Sequence, residues 1–402
     1  MRIARRSAAM HPLVVRDLVL VGGGHAHVHI IRMWAMRPVP GVRVTLVSRD
    51  VETPYSGMLP GLVAGAYTAE ETHIDLVRLC AWARVRMVHA SATALQLDKR
   101  CVLLDGGRPA LQYDVLSLDV GITPAATKVS GAAEHAVAVK PIDGFARRWA
   151  DVSKRLAASK SATATPVRVT VVGGGAGGVE LALALAAAGK YSRQLEVSLV
   201  TQSDVLPASS AGARARIVHA LHARHVTVHT HAAVKSVTED AVTLNDGRQL
   251  ACDACIWCTQ GAAPAWLAAS GIATDAAGCV TVDATLQSTS HPGVFAAGDC
   301  AHLSATPRPK AGVFAVRAGP TLDANLRAAL HGRPLRSWTP QRRHLSLLNL
   351  GDGRAVATWG SLSCGGDSAL GALLWRWKDR IDRKWMRMCV CGHEMCMRCR
   401  HD

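Results

Sequence analysis

The sequence predicts an α/β protein made of two like units, each a parallel sheet with crossover helices, followed by a small α+β region. Three observations predict it. Strand-like and helix-like patterns alternate from residue 17 onward, as they do where helices join parallel strands. An apolar strand running into three glycines and a helix occurs at 17–31, DLVLVGGGHAHVHII, and recurs at 167–189, VRVTVVGGGAGGVELALALAAAG. Each copy is followed by another strand, VRVTLVS at 42–48 and LEVSLV at 195–200.

Two strand–glycine–helix–strand units at domain-sized separation mark a duplicated, Rossmann-like dinucleotide-binding architecture. In the G-x-G-x-x-G loop the first glycine allows a tight turn, the second lets backbone N–H groups approach a pyrophosphate, and the third lets the helix pack on its strand. The helix N-terminus adds partial positive charge for the phosphates. The second unit has the full set, Gly173, Gly175 and Gly178, with Ala176 and Gly177 between them. The first has Gly22 and Gly24, but His27 stands in the third place. That helix is therefore expected to sit further from its strand, or the imidazole to point outward.

His25, His27 and His29 alternate, which raises a metal site as the competing reading. His25 and His29 are spaced to share a helix face. A third ligand and an orienting shell are not evident nearby. His25 is accordingly expected beside the phosphates or ring of a cofactor, with no metal. A ribose-binding acid normally ends the second strand of such a unit. Here Ser48-Arg49-Asp50 and Thr201-Gln202-Ser203 stand there. Arg49 is expected over the adenosine side of one nucleotide and Thr201 beside the other.

The 402 residues allow two or three domains with full cores. No uninterrupted apolar run reaches about 18 residues, so no spanning helix is expected. The net charge of +16 suits anionic partners. Nucleic acid is set aside because no recognised module with interleaved aromatics is present. The 12 cysteines form no regular framework, which fits a reducing compartment, the cytoplasm or an organelle such as the mitochondrion. The opening MRIARRSAAMHPLVVR reads either as a targeting peptide or as a basic tail. Cys252, Cys255 and Cys258 have C-x-x-C spacing twice over. Residues three apart on a strand face opposite sides, so they read as buried structural cysteines.

Three further stretches carry a family resemblance: GVFAAGDCAHL at 293–303, CTQGAAP at 258–264 and DVGITP at 119–124. They resemble the late flavin motif and the two interdomain turns of the FAD-dependent pyridine nucleotide-disulfide oxidoreductases. More narrowly, VGGGHAHVHII, TPYSGMLPGLVAG (53–65) and PKAGVFAVRAGPTLDANL (309–326) resemble a type II NADH dehydrogenase-like subgroup associated with selenophosphate synthetase. The resemblance implies FAD on the first unit, contacted by Gly22, Gly24, His25, Arg49, Gly121, Asp299, Lys310 and Ala311. It implies NADH or NADPH on the second, at Gly173, Gly175, Ala176, Gly177, Gly178, Glu180, Thr201 and Gly261. Glu180 and Lys310 are the catalytic candidates. An exposed first-turn carboxylate and a surface lysine are their ordinary alternatives.

The implied layout is a basic tail at 1–16, an FAD domain at 17–145 and 285–335, an NAD(P)H domain at 146–284, a C-terminal region at 336–388 and a Cys-rich tail at 389–402. The paired cysteines of the disulfide reductases are missing from TPYSGMLPG. A quinone-like small molecule is thus the expected electron acceptor. The alternative is a flavin-binding redox sensor or partner of a selenium-handling enzyme such as selenophosphate synthetase.

HLSLLNLGDGRAVATWG at 344–360 reads as a hairpin turning at Asp352-Gly353. In 370–388, Leu370, Leu374, Trp377, Ile381, Trp385 and Met388 form a helical apolar stripe beside a basic face. It is expected either to pack on the protein or to make peripheral contact with an anionic membrane surface. The tail CVCGHEMCMRCRHD has the residue types for zinc but no familiar spacing.

Overall fold

A computed structural model describes residues 13–390, apart from 125–128, 141–144, 146–147, 152–153, 155–165, 193–194 and 260. Of the opening read at 1–16 and the Cys-rich tail at 389–402, residues 1–12 and 391–402 lie outside the described residues.

β1 (Arg16–Val21) runs into the first glycines, and α1 (His25–Met36) follows. β2 (Val42–Ser48), β3 (Arg86–His89) and β4 (Val115–Leu118) continue the first unit. The chain then crosses to β5 (Ala136–Ala138), β6 (Val167–Val172), α2 (Ala176–Ser192), β7 (Leu195–Val200), α3 (Ala211–Ala223), β8 (Thr227–His229) and β9 (Ala254–Trp257). It returns through β10 (Val294–Ala296) and α4 (Gly312–Leu330).

The first sheet has the order β10-β4-β1-β2-β3 and the second β5-β9-β6-β7-β8. Every pairing in both is parallel. Such sheets are covered on both faces, and their central strands are continuously apolar. Leu18, Leu20, Leu116 and Leu118 are wholly buried in one sheet, and Val171, Leu199 and Ile256 in the other. The first unit is thus discontinuous, with the second inserted before β10. The boundary expected at 146 falls late, because β5 already pairs with β9.

Two features depart from the sequence reading. His27 does not point outward. It is fully buried, with Nδ1 2.7 Å from Gly22 O and Nε2 2.8 Å from Ser117 Oγ. The ring fills the space that a third glycine would leave, and burial lowers its pKa to about 4, so it stays neutral. Second, Cys252 and Cys255 do not face apart. Cys252 precedes β9, and both are buried in one apolar cluster.

The hairpin expected at 344–360 forms between β11 (Ser346–Asn349) and β12 (Ala355–Trp359), and β13 (Leu362–Gly365) extends it to a three-stranded antiparallel sheet. Its first turn spans 350–354, closed by Leu350 N–H donating to Arg354 O at 2.9 Å. The last helix, α5 (Ala369–Val390), is rotated from the expected stripe. Leu374, Lys378, Asp382, Met386 and Cys389 are buried, while Leu370, Leu373, Trp377 and Ile381 are exposed. The helix turns an ion pair inward, and the two charges satisfy each other there.

His27→Gly restores the ordinary fingerprint yet removes two buried hydrogen bonds and opens a cavity. It is expected to destabilise the apoprotein by about 2–4 kcal/mol in denaturant unfolding.

Candidate functional site

A cavity of about 420 Å³ opens at the C-terminal ends of the first sheet's strands. That is where open α/β sheets bind ligands. Its floor is the β1–α1 loop. Gly22 has φ +97°, and a Cβ there would lie 2.3 Å from Asp119 O. The loop therefore lies against the end of β4, with backbone exposed to the cavity. Gly121, also on the wall, has φ +68°.

His25 opens α1 and lines the same cavity. Its ring meets Tyr55 edge-on at 5.4 Å, and its Nε2 is buried with no partner among the described residues. Loss of solvation lowers its pKa to about 4, so it is neutral at pH 7. An orphaned buried nitrogen on a cavity wall fits a site that takes a polar ligand. Arg49 and Asp50 also line the cavity and pair at 3.2 Å.

Asp299 follows β10 in a short 3-10 turn, and Lys140 Nζ donates to its Oδ2 at 2.6 Å. The sequence reading missed Lys140, which lies beyond β5 with no motif around it. It also missed Asp119. Ala26 N–H donates to Asp119 Oδ2 at 2.9 Å, while burial pushes the carboxyl up to about 7.

Lys310 sits apart from the main cavity. Its Nζ donates to Ala301 O at 2.6 Å, and with Ala311 it lines a side cavity of about 30 Å³ behind Asp299. Gly312 and Ala315 are the parts of that segment that reach the main cavity.

In the second unit Gly175, Ala176 and Gly177 are exposed at the start of α2. Gly178 allows close packing, since a Cβ there would lie 1.9 Å from Gly173 O. Thr201 faces inward and is buried, packed over Gly174 rather than toward solvent. Beyond it Asp204 is held by Arg214 at 3.1 Å and His231 at 3.2 Å. That trio is spread over three segments and invisible in the sequence. Gly261 lies in the two-residue strand that pairs with Thr123–Pro124 and links the units.

Glu180 is not an exposed first-turn acid. Its Oε1 accepts the Asn349 N–H at 2.8 Å. The residue is half-buried, and loss of solvation pushes its carboxyl up to about 7, opposed by the charge of Lys378. Lys378 Nζ donates to Gly57 O at 2.6 Å and to Asp382 Oδ2 at 2.5 Å. Burial and, after it, the nearby charge of Asp382 hold the Tyr55 phenol above its usual pKa. A series of neighbouring groups thus extends from the half-buried Glu180 on α2, past the buried Lys378 and Asp382 of α5, to the half-buried Tyr55 and His25 at the cavity.

Among the described residues no group of three or more His, Cys, Asp or Glu could hold a metal ion. The glycine loop, the orphaned His25 nitrogen and the cavity fit FAD.

The chain was compared with known families and structures. The family model described as pyridine nucleotide-disulphide oxidoreductase matches residues 16–319. The fold is similar to that of the sulfide:quinone oxidoreductase from Aquifex aeolicus, at 16% identity and TM-score 0.77, covering 94% of this chain and 92% of that one. It is also similar to NDH2 from Plasmodium falciparum in complex with NADH, at 14% identity and TM-score 0.77, covering 94% and 99%. A ferredoxin reductase from Rhodopseudomonas palustris matches at 17% identity and TM-score 0.68, covering 86% and 88%. The chain belongs to the pyridine nucleotide-disulphide oxidoreductase family and is an FAD-dependent NAD(P)H oxidoreductase.

Proposed function

We propose that the protein passes electrons from NAD(P)H, through FAD, to a quinone-like acceptor that approaches from the α5 side. The carrying observation is the line Glu180, Lys378, Asp382, Tyr55 and His25, which ends at the cavity wall where a disulfide reductase would carry cysteines. FAD, when bound, supplies hydride acceptance and onward electron transfer. Gly22, Gly24 and His25 line its site, Gly121 shapes the wall, Arg49 covers the adenosine side, and Asp299, steadied by Lys140, faces the ribityl and phosphate region. Lys310 and Ala311 support the turn that carries Asp299. Gly173, Gly175, Ala176, Gly177 and Gly178 receive the nicotinamide dinucleotide at the start of α2, with Gly261 and Thr201 shaping the loops beside it.

A quinone takes up protons with its electrons. Glu180 holds a proton near neutrality, and Lys378 sets how readily its Oε1–Oε2 carboxyl releases it. The exposed Leu370, Leu373, Trp377 and Ile381, fringed by Arg376, Arg380, Lys384 and Arg387, suit peripheral docking on an anionic membrane where a lipophilic acceptor resides. Among the described residues no helix is long and apolar enough to cross a membrane.

A second reading is a slow-turnover redox partner of a selenium-handling enzyme. The substituted third glycine and the strand ends without a ribose acid favour it. A selenophosphate synthetase partner rests on the three subgroup motifs alone.

Anaerobic titration with NADH and then NADPH is expected to bleach the flavin bands stoichiometrically, and ubiquinone analogues to restore them over many turnovers. Bleaching without quinone turnover favours the partner reading, and no bleaching rejects the hydride step. Glu180→Gln is expected to slow reoxidation by quinone about 100-fold while sparing flavin reduction in stopped flow. Lys378→Met removes the charge that favours ionised Glu180. The titration seen near pH 7 is then expected to move upward, read from the pH dependence of reoxidation, with a stability loss of about 3–5 kcal/mol. Replacing Leu373 and Trp377 together by Asp is expected to weaken sedimentation with anionic vesicles more than about tenfold.

A further inference from the structure

One buried carboxyl on the cavity wall is used by neither the hydride site nor the line to α5. Asp119 is 4% exposed and lies where β4 meets the cavity. Its carboxylate is wedged between two glycines. A Cβ at Gly24 would lie 2.2 Å from Asp119 Cγ, and one at Gly298 would lie 2.3 Å from Asp119 Oδ1. The space around the group is therefore built to hold it. Ala26 N–H donates to Oδ2 at 2.9 Å, with His27 N–H further off at 3.4 Å.

Those N–H groups belong to the first turn of α1, which a glycine loop of this kind offers to a pyrophosphate. A carboxylate and a pyrophosphate would draw on one helix terminus at the edge of one cavity. Like charges sharing such a site do not both stay ionised.

We propose that Asp119 is a cofactor-seating residue that meets the pyrophosphate of FAD as the neutral acid. As FAD enters, the carboxylate takes one proton from solvent, and the new O–H donates to a phosphate oxygen. The other carboxyl oxygen keeps the Ala26 N–H. One O–H bond forms, none breaks within the protein, and nothing is oxidised or reduced.

The neighbouring groups leave Asp119 as the one that titrates. From α1, His25 and His27 are both lowered to about 4 and are neutral. From the 298–300 turn, the Cys300 thiol is pushed up to about 12, and Asp299 is paired with Lys140. Ser117, beneath, bonds His27 and carries no charge. Burial already pushes Asp119 up to about 7, and the phosphate charge acts in the same direction. Above that pH the apoprotein must acquire the proton in order to bind.

The proposal rests on the cavity holding FAD, and the experiment separates the two. FAD binding to the full-length apoprotein is followed by calorimetry at pH 8 in two buffers of different ionisation enthalpy, and by flavin fluorescence from pH 6 to 9. The expected result is uptake approaching one proton at pH 8 and a Kd that weakens about tenfold per pH unit above 7. Asp119→Asn is expected to bind FAD with no uptake and a flat pH profile. Binding by the wild type without uptake, or uptake retained in Asp119→Asn, overturns the role of Asp119 while leaving the cavity reading intact. Folded apoprotein that takes no FAD at any pH overturns both. Should Asp119→Asn not fold, infrared difference spectra of the wild type decide. A new protonated-carboxyl band on adding FAD at pH 8 supports the proposal, and its absence overturns it.

Discussion

The first unit depends on where the free N–H groups at the start of α1 find partners. A helix leaves its first N–H groups unpaired, and burial makes each costly. Here β4 supplies the answer. Ser117 and Asp119 stand two apart, on the same face of the strand, and both reach the first turn of α1. Ser117 ties down the ring of His27, and Asp119 takes the Ala26 N–H. The helix is thus bolted to its neighbouring strand through polar contacts. In the second unit the same problem has the ordinary solution, with Gly178 packing on Gly173 backbone. The two loops look like a good and a damaged copy of one motif. They are instead two ways of holding a helix against a strand.

The second organising feature is α5. A buried Lys–Asp pair costs desolvation that attraction alone does not offset. Lys378 donates a hydrogen bond to Gly57 O, and Asp382 lies near enough to Tyr55 to raise its phenol pKa. The pair therefore joins α5 to the first unit while its field reaches Glu180 on the second. Arg224 on the α3 side does similar work at the surface of the C-terminal sheet, bonding Asp352 at 2.7 Å and Asp367 at 2.6 Å. Three segments distant in sequence meet around one carboxylate, Glu180, whose protonation then depends on all of them.

Much of this was legible beforehand because it is local. Strand, glycines, helix and strand occupy a few dozen residues, so both sheets and the start of each central helix follow from pattern. The motifs singled out Asp299 and Gly121, and both line the cavity of the first unit. What was not legible depended on contacts across the chain. Nothing near His27 in sequence says that Ser117 will receive it. Lys140, Asp204 with Arg214 and His231, and the Lys378–Asp382 pair carry no motif. On α5 the pattern leaves open whether the apolar stripe packs on the protein or faces outward. Hydrophobicity alone cannot say which side of a helix meets a partner when an ion pair is the better fit, and the apolar stripe ended largely outside.

The place of β10 has a consequence for how the chain comes to be folded. It pairs beside β4, yet the whole second unit separates them. During synthesis the first unit waits with an open sheet edge until β10 and the Asp299 turn emerge, while the second unit already has all its strands. Proteins of many domains usually fold in order from the N-terminus. Here the inserted unit is complete first, and the long loop closure that finishes the other sheet is the slow, non-local step. The unfinished edge of β4 is the surface that a chaperone would have to shield in that interval.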